Sequence, residues 1–452
     1  MTTTIDRPSS APAEAPPTLR SAPPRPLGLA DQAALWGNLG ISLTLPVAAA
    51  FVLAPAGLPA LSLAAALTAV LVGSLLGSTV LGLAAVPGAQ TGAPAMVLLR
   101  GLFGRRGSYL PTVLNVGQCV GWATVEVVII ADSAARLTGG HLRWLYVVLA
   151  GVLATALALR PLGLVRTLRR YAVWLVLLAS AYLFVQVLRD GLPPLGNGSW
   201  TGFWPAADVV IAIAVSWAPL ASDYSRHSRS GRDAFAGALV GFATASTAYF
   251  ALGLFALATI VGRDGDVLGA LLAVPVGGLA LAILVLDEVD EAFANVYSTA
   301  VSVQNLRPAL DRRVLAVVVG AVAVLLGLLV DVVQYESFLY LIGSVFVPLF
   351  AVVVVDYFVV RRGAWDLSET ARGRWQLALP WALGFATYQL INPGTVSWWA
   401  SLWLDVASAL HFTPQSWMSA SLLSFAVAGV ATLLMGIVAG PTPRGRARGF
   451  VE

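Results

Sequence analysis

Twelve apolar stretches, each near the roughly 20 residues that an α-helix needs to cross a bilayer, follow one another along almost the whole chain. Of the 452 residues 58% are hydrophobic and 11% are charged, whereas about 25% of a soluble domain is charged. So little polar surface excludes a soluble enzyme, a secreted disulfide scaffold and a disordered protein. We predict an all-α membrane protein with twelve transmembrane helices. These are spans 1 to 12, at residues 33–55, 60–86, 109–137, 144–160, 169–188, 206–222, 234–261, 267–303, 314–331, 334–359, 376–391 and 417–440.

The arginines test this count, because all 27 basic residues are arginine and cytoplasmic loops carry an excess of positive charge. If the N-terminus lies inside and the sides alternate, 23 arginines fall in inside segments. Only Arg136, Arg143, Arg189 and Arg263 fall outside. A missed or invented span would mix the two groups. The pattern predicts a multi-pass protein with both termini in the cytoplasm.

The segments outside the spans are too short to form a domain. Residues 1–28 are rich in Pro, Ala, Ser and Thr and lack the apolar run of a signal peptide, so we expect a disordered cytoplasmic tail. Residues 441–452 are expected to form a second cytoplasmic tail. The longest loop, 392–416, contains Trp398, Trp399 and Trp403. An aromatic belt at the membrane surface is favoured there over an extracellular lid.

Spans 1 and 6 both contain residues that interrupt a membrane helix. These are Asn38, Gly40, Ser42, Thr44 and Pro46 in span 1, and Ser216, Trp217 and Pro219 in span 6. A proline kink would explain either span alone, because proline removes a helix hydrogen bond. Broken helices at corresponding positions of two halves, however, mark the substrate site of inverted-repeat transporters.

Spans 8 and 3 carry acids. Span 8 contains Asp287, Glu288, Asp290 and Glu291 with no arginine in the same helix, so these carboxylates cannot all ionise without cost. A water-exposed loop between two short spans is the alternative, but it would spoil the arginine pattern.

In span 3, Gln118, Trp122 and Glu126 recur every four residues and share one helix face. Two tryptophans can sandwich a flat ring while amide and carboxylate groups bind its polar edge. We therefore expect a small planar heterocycle as the ligand.

The chain resembles the nucleobase:cation symporter-1 family of cytosine, purine and allantoin permeases. The resemblance covers about residues 29–440. It rests on GAQTGAPAMVLLRGLFGRRGSYLPTVLNVGQCVGW (88–122), on SWAPLASDYSR (216–226) and on QYESFLYLIGSVFVPLFAVVVVDYF (334–358). The last motif is most similar to the CytX-like branch. That branch is assigned to the transport of hydroxymethylpyrimidine, which is a thiamine precursor.

The resemblance implies a LeuT-type fold of two inverted five-helix repeats, at 29–190 and 206–360, followed by two further helices at 374–440. It implies uptake by alternating access. It also implies substrate-binding roles for Trp122, Glu126, Cys119, Gln118, Ser216, Trp217, Asp287 and Leu45. No cofactor and no nucleic-acid partner is expected.

The cation site departs from the family pattern. The resemblance places cation coupling at Gly40, Thr44, Asp287, Asp290 and Glu291. Sodium-coupled members have Ser or Thr hydroxyls where Asp290 and Glu291 stand here. Carboxylates can bind sodium or take up a proton, so both coupling ions stay open, with protons slightly favoured.

We therefore predict a bacterial inner-membrane symporter that imports hydroxymethylpyrimidine or a cytosine-like base. A purine or allantoin permease of the same family is the alternative. A membrane-embedded enzyme is disfavoured, because the sequence has no nucleophile paired with a base and no metal-ligand spacing. A substrate sensor is disfavoured because no segment could form an output domain.

Overall fold

The helices of this computed structural model follow the predicted spans. The structure describes residues 14–55, 57–167, 171–261, 265–329 and 335–438. The helices are, for span 1, Leu29–Asn38 and Thr44–Leu53; then Leu63–Thr91, Tyr109–Leu137, Arg143–Ala158 and Val173–Val187 for spans 2 to 5; Phe203–Ser216 and Ala218–Ser225 for span 6; Gly231–Thr259 for span 7; Gly277–Asp287 and Val289–Leu306 for span 8; and Arg312–Leu329, Tyr335–Val354, Ala378–Ile391 and Ala420–Val438 for spans 9 to 12. Short helices at Ala95–Leu98, Arg100–Gly107, Pro161–Thr167 and Ser397–Ala409 lie in the connections. The first residues predicted for span 8 form a separate short helix, Val267–Ala273, so the span itself begins at Gly277.

The all-α membrane class is confirmed. Seven helices of the described residues are long and apolar enough to cross a bilayer, and three shorter apolar helices belong to spans 1, 4 and 5. The described residues contain isolated β-bridges, such as that between Leu61 and Ser199, but no β-strand. A helix satisfies its own backbone groups, which is what a chain in a bilayer requires.

The interruptions of spans 1 and 6 differ in kind. Span 1 has a five-residue gap between its helices, where the Ile41 N–H bonds the Asn38 carbonyl at 2.9 Å. Span 6 only kinks: Trp217 keeps helical φ and ψ, and Pro219 takes the start of the second helix, where its missing N–H is tolerated. The expectation of two broken helices therefore holds fully for span 1, whereas span 6 stays close to continuous.

Span 7 holds both halves of span 1 by direct backbone contact. A Cβ on Gly241 would lie 2.5 Å from the Ala33 carbonyl oxygen, and a Cβ on Gly253 would overlap the Pro46 carbonyl. Glycine is required at these two positions because any side chain would separate the helices. The packing fixes where the gap in span 1 lies.

The prediction that residues 1–28 form a disordered tail is wrong for residues 14–28, which we call the N-terminal strap; residues 1–13 and 441–452 lie outside the described residues. The Glu14 carboxylate accepts hydrogen bonds from the Leu162 and Gly163 N–H groups at 2.8 and 3.0 Å. The Pro17 carbonyl accepts from the Arg312 N–H at 2.8 Å. The strap has too few apolar residues to fold by itself, but hydrogen bonds to the surface of the helix bundle order it.

The strap lies on what we call the arginine-rich face, which comprises residues 14–28, 92–108, 160–167, 226–230, 307–311 and 361–377. Contacts such as the Arg105–Glu369 ion pair at 2.7 Å connect these segments. On the opposite side, half of the loop 392–416 is the helix Ser397–Ala409, where Trp398 is 70% exposed and the Trp399 indole N–H donates to Gln389 Oε1 at 2.8 Å.

Candidate substrate and cation site

A buried cavity lies where the gap in span 1 meets the kink of span 6. Its lining comes from spans 1, 3, 6, 7 and 8: Leu39, Ser42, Thr44, Leu45, Trp122, Glu126, Ile213, Ser216, Trp217, Leu220, Phe242, Glu291 and Asn295. Its volume is about 20 Å³, whereas sites that enclose a small-molecule ligand measure about 300–1,000 Å³. The structure therefore shows the cavity in a closed form.

Two indoles from different spans line this cavity. Trp122 packs on Phe338 of span 10, with ring centroids 5.4 Å apart. Trp217 forms a T-shaped pair with Trp36, with ring centroids 6.4 Å apart, and its ring centroid lies 6.2 Å from that of Phe242. Since neighbouring rings fix each indole on one side, the two tryptophans are preorganised aromatic surfaces for a flat ligand. The structure thus brings together the two tryptophans singled out from the sequence.

The polar part of the lining consists of acids, amides and hydroxyls. Glu126 is 1% exposed, and its Oε2 atom has no hydrogen-bond partner among the described residues. Asn295 donates to the Glu291 carbonyl at 3.1 Å, one helical turn away. The Ser216 hydroxyl donates to the Ile213 carbonyl at 2.7 Å. Glu126, Glu291 and Asn295 are therefore the side chains best placed to meet the polar edge of a ligand.

The span 8 acids separate into two pairs on two sides of the helix. Asp287 Oδ1 and Asp290 Oδ2 both accept from the Asn38 amide, at 3.0 and 2.8 Å. Glu288 accepts from the Ser42 hydroxyl at 2.7 Å and from the Leu43 N–H at 2.9 Å, while Glu291 lines the cavity. Both halves of this arrangement tie span 8 to the interrupted part of span 1.

Three carboxylates from two spans form one cluster beside the cavity. One oxygen from each of Glu126, Glu288 and Glu291 lies within 4.8 Å of the others, and all three residues are buried. At such distances, and at an effective dielectric constant of about 20, each pair of negative charges costs about 3.5 kcal/mol. The cluster must therefore hold protons or a cation, and its oxygen ligands suit a hard cation.

Five residues predicted for substrate or cation binding do not line the cavity. Cys119 is fully buried, with Sγ 3.6 Å from Asn115 Oδ1. Gln118 donates to the Ser216 carbonyl at 3.1 Å and so supports the kink of span 6. Gly40 packs against span 7, and Asp287 and Asp290 point to Asn38 as described above.

The sequence interpretation missed Asn295 and Phe242, and it assigned no role to Glu288. Asn295 lies four residues after Glu291, a spacing that places both on one helix face and could have identified it. Phe242 reaches the cavity only because span 7 packs on span 1, for which the sequence carries no local signal.

Comparisons with known proteins agree with this architecture. A family model described as a permease for cytosine/purines, uracil, thiamine and allantoin matches residues 28–376. The cytosine permease of Escherichia coli K12 is 26% identical over 348 residues, which cover 73% of this chain and 78% of that protein.

The fold is that of a solved transporter. Mhp1, a nucleobase-cation-symport-1 family transporter in a closed conformation with bromovinylhydantoin bound, superposes with a TM-score of 0.70 at 19% identity, covering 95% of this chain and 94% of that one. The inward-facing conformation of Mhp1 gives a TM-score of 0.65 at the same identity, with 95% and 93% coverage. The chain belongs to the nucleobase:cation symporter-1 family of permeases and is a membrane transporter, not an enzyme.

Proposed function

We propose that this protein imports a small pyrimidine, hydroxymethylpyrimidine or a cytosine-like base, by cation-coupled symport with alternating access. The observation that carries the proposal is the closed cavity between Trp122 and Trp217 with Glu126 and Asn295 beside the indoles. Aromatic faces stack on a flat ring, a carboxylate accepts hydrogen bonds from an exocyclic amine, and an amide can both donate and accept. The names of the relatives support a nucleobase as substrate.

The small volume of the cavity supports alternating access. A space of about 20 Å³ cannot hold a pyrimidine, so spans must move apart before a substrate enters. The gap in span 1 and the kink of span 6 border the cavity and are the natural places for that movement. The bacterial inner membrane, with the arginine-rich face in the cytoplasm, is the location that the arginine distribution supports.

The carboxylate cluster is the proposed coupling site. Glu126 and Glu291 line the substrate cavity, whereas Glu288 bonds the interrupted part of span 1. A cation or proton bound among them would therefore sense both the substrate and the position of span 1. We favour protons over sodium, because carboxylates stand where a sodium-coupled member has hydroxyls.

The stacking assignment is tested by uptake in proteoliposomes. Trp122→Ala should lower affinity for a labelled aminopyrimidine about 10- to 100-fold, because it removes stacking and part of the cavity wall. Trp174→Ala is the matched control, since that span 5 indole is 64% exposed on the outer surface of the protein. Equal uptake constants in Trp122→Ala and wild type would refute the site.

Substrate choice is decided by a thermal-shift panel of pyrimidines and purines, because a ligand that binds the native state raises its melting temperature. A rise with purines or allantoin alone would favour the alternative permease function. Counterflow of labelled substrate then separates a transporter, which exchanges label, from a sensor, which only binds it.

Coupling is tested by charge removal. Glu288→Gln and Glu291→Gln, which remove charge from the carboxylate cluster, should keep exchange but lose accumulation against a gradient. An inward proton gradient should stimulate wild-type uptake without sodium. A strict need for sodium at every pH would overturn the proton assignment and leave the transporter assignment standing.

A further inference from the structure

A second concave site opens on the arginine-rich face and shares no lining residue with the substrate cavity. This arginine cleft measures about 540 Å³. Its charged residues are Arg20, Arg100, Arg105, Arg307 and Glu369. Glu369 forms an ion pair with Arg105 at 2.7 Å. The remaining three arginines have no ion pair among the described residues.

Arg100 forms the buried base of the arginine cleft. Its side chain is 2% exposed, and its hydrogen bonds go to neutral acceptors: Nε donates to Asn305 Oδ1 at 2.8 Å and Nη2 to the Asn305 carbonyl at 3.3 Å. Burial lowers the pKa of this guanidinium, and the attraction of the Glu369 carboxylate offsets only part of that effect. A buried cation of this kind calls for an anion.

The rule that arginines collect on the cytoplasmic side does not explain this arrangement. A charge that serves only to orient the chain in the membrane needs neither burial nor neighbours of the same sign. Here Arg20 comes from the N-terminal strap, Arg100 from the helix after span 2, and Arg307 from the end of span 8. Like charges from three separate segments converge on one cleft, although their mutual repulsion opposes it.

We propose that the arginine cleft binds a phosphate-bearing anion through Arg20, Arg100 and Arg307. Guanidinium groups match the paired oxygens of phosphate, and basic pockets on this side of membrane proteins suit phosphate headgroups. The phosphate can belong to an anionic phospholipid or to a phosphorylated small molecule, and the cleft has the volume of a ligand site. Binding of this anion does not depend on the transported substrate.

Calorimetric titration of inorganic pyrophosphate tests the proposal, with full-length protein in phosphatidylcholine nanodiscs at about 0.15 M salt, where long-range attraction is screened. The test variant is Arg20→Gln/Arg307→Gln, because Arg100 also holds Asn305 and its loss endangers folding. Arg313→Gln is the matched control, since Arg313 is an exposed arginine two residues after the segment 307–311 and does not line the cleft. An unchanged melting temperature verifies that each variant is folded.

The proposal expects the dissociation constant of pyrophosphate to rise about tenfold or more in the double variant and to change less than about twofold in Arg313→Gln. Absence of wild-type binding, binding by the double variant within twofold of wild type, or an equal loss in Arg313→Gln would overturn it. Nanodiscs of phosphatidylglycerol identify the source. Weaker pyrophosphate binding there than in phosphatidylcholine indicates that the headgroup occupies the cleft, and equal binding indicates a free phosphate compound.

Discussion

The contact between Asn38 and the span 8 acids should contribute strongly to the stability of the closed structure. Asn38 is 1% exposed, and its amide donates to Asp287 at 3.0 Å and to Asp290 at 2.8 Å. Leucine is similar in size but cannot donate, so Asn38→Leu leaves two buried acceptors without this partner. Each such loss costs about 1–3 kcal/mol, and we expect a fall of about 3 kcal/mol in the free energy of unfolding.

The measurement is reversible unfolding in mixed micelles by a denaturing detergent, arranged as a double-mutant cycle. In an Asp287→Ala/Asp290→Ala background the same Asn38→Leu change should cost less than about 1 kcal/mol, because the acceptors are gone. Gln186→Leu serves as the control, since Gln186 is half-buried and its side-chain amide makes no hydrogen bond among the described residues. An equal cost of Asn38→Leu in both backgrounds would show that the two hydrogen bonds do not carry the effect.

Three further changes probe the substrate edge, the bundle and the strap. Glu126→Leu should weaken binding of every aminopyrimidine about 10- to 100-fold, because the polar edge of the ring would be buried without a hydrogen-bond partner. Glu126→Gln should change the order of affinities among the aminopyrimidines in a thermal-shift panel. Asp208 bonds the first N–H groups of span 12, with Ala420 at 2.7 Å, so Asp208→Ala should lower stability by about 1–2 kcal/mol and Asp208→Asn by less, measured by thermal melting. Glu14→Ala should speed trypsin cleavage after Arg20 about tenfold relative to wild type, because the Glu14 carboxylate binds the strap to the Leu162 and Gly163 N–H groups. Asp190→Ala on the opposite face should leave the cleavage rate unchanged.

Much of the site could be predicted because its residues carry local signals. Trp122 and Glu126 are four residues apart in span 3, which places them on one face of the helix. Trp217 lies two residues before Pro219, where span 6 was expected to be interrupted. These positions predicted that the three side chains face the interior. Both tryptophans and Glu126 do line the cavity. Phe242 has no such signal, because it reaches the cavity only through the contact of span 7 with span 1.

The sequence did not predict the ordered strap or the arginine cleft. Residues 14–28 were predicted to be a disordered tail, because composition indicates only how much apolar surface the segment can bury by itself. The Glu14 and Pro17 contacts are made to distant segments, and only the folded bundle brings those partners to one face. Likewise, Arg20, Arg100 and Arg307 read separately as orientation signals.

The sequence by itself predicted the multi-span all-α fold and the position of the gap in span 1, because hydropathy and backbone preference act over a few neighbouring residues. The sidedness of the spans is a prediction from the arginine distribution. The sequence also placed four acids in span 8, but it could not assign their partners. Residues three apart share a helix face, so Asp287 pairs with Asp290 and Glu288 with Glu291. Which pair faces the substrate cavity depends on the rotation of span 8 against spans 1 and 3, and side-chain packing between distant segments sets that rotation. Only the tertiary structure therefore decided that the glutamates join Glu126 and that the aspartates turn to Asn38.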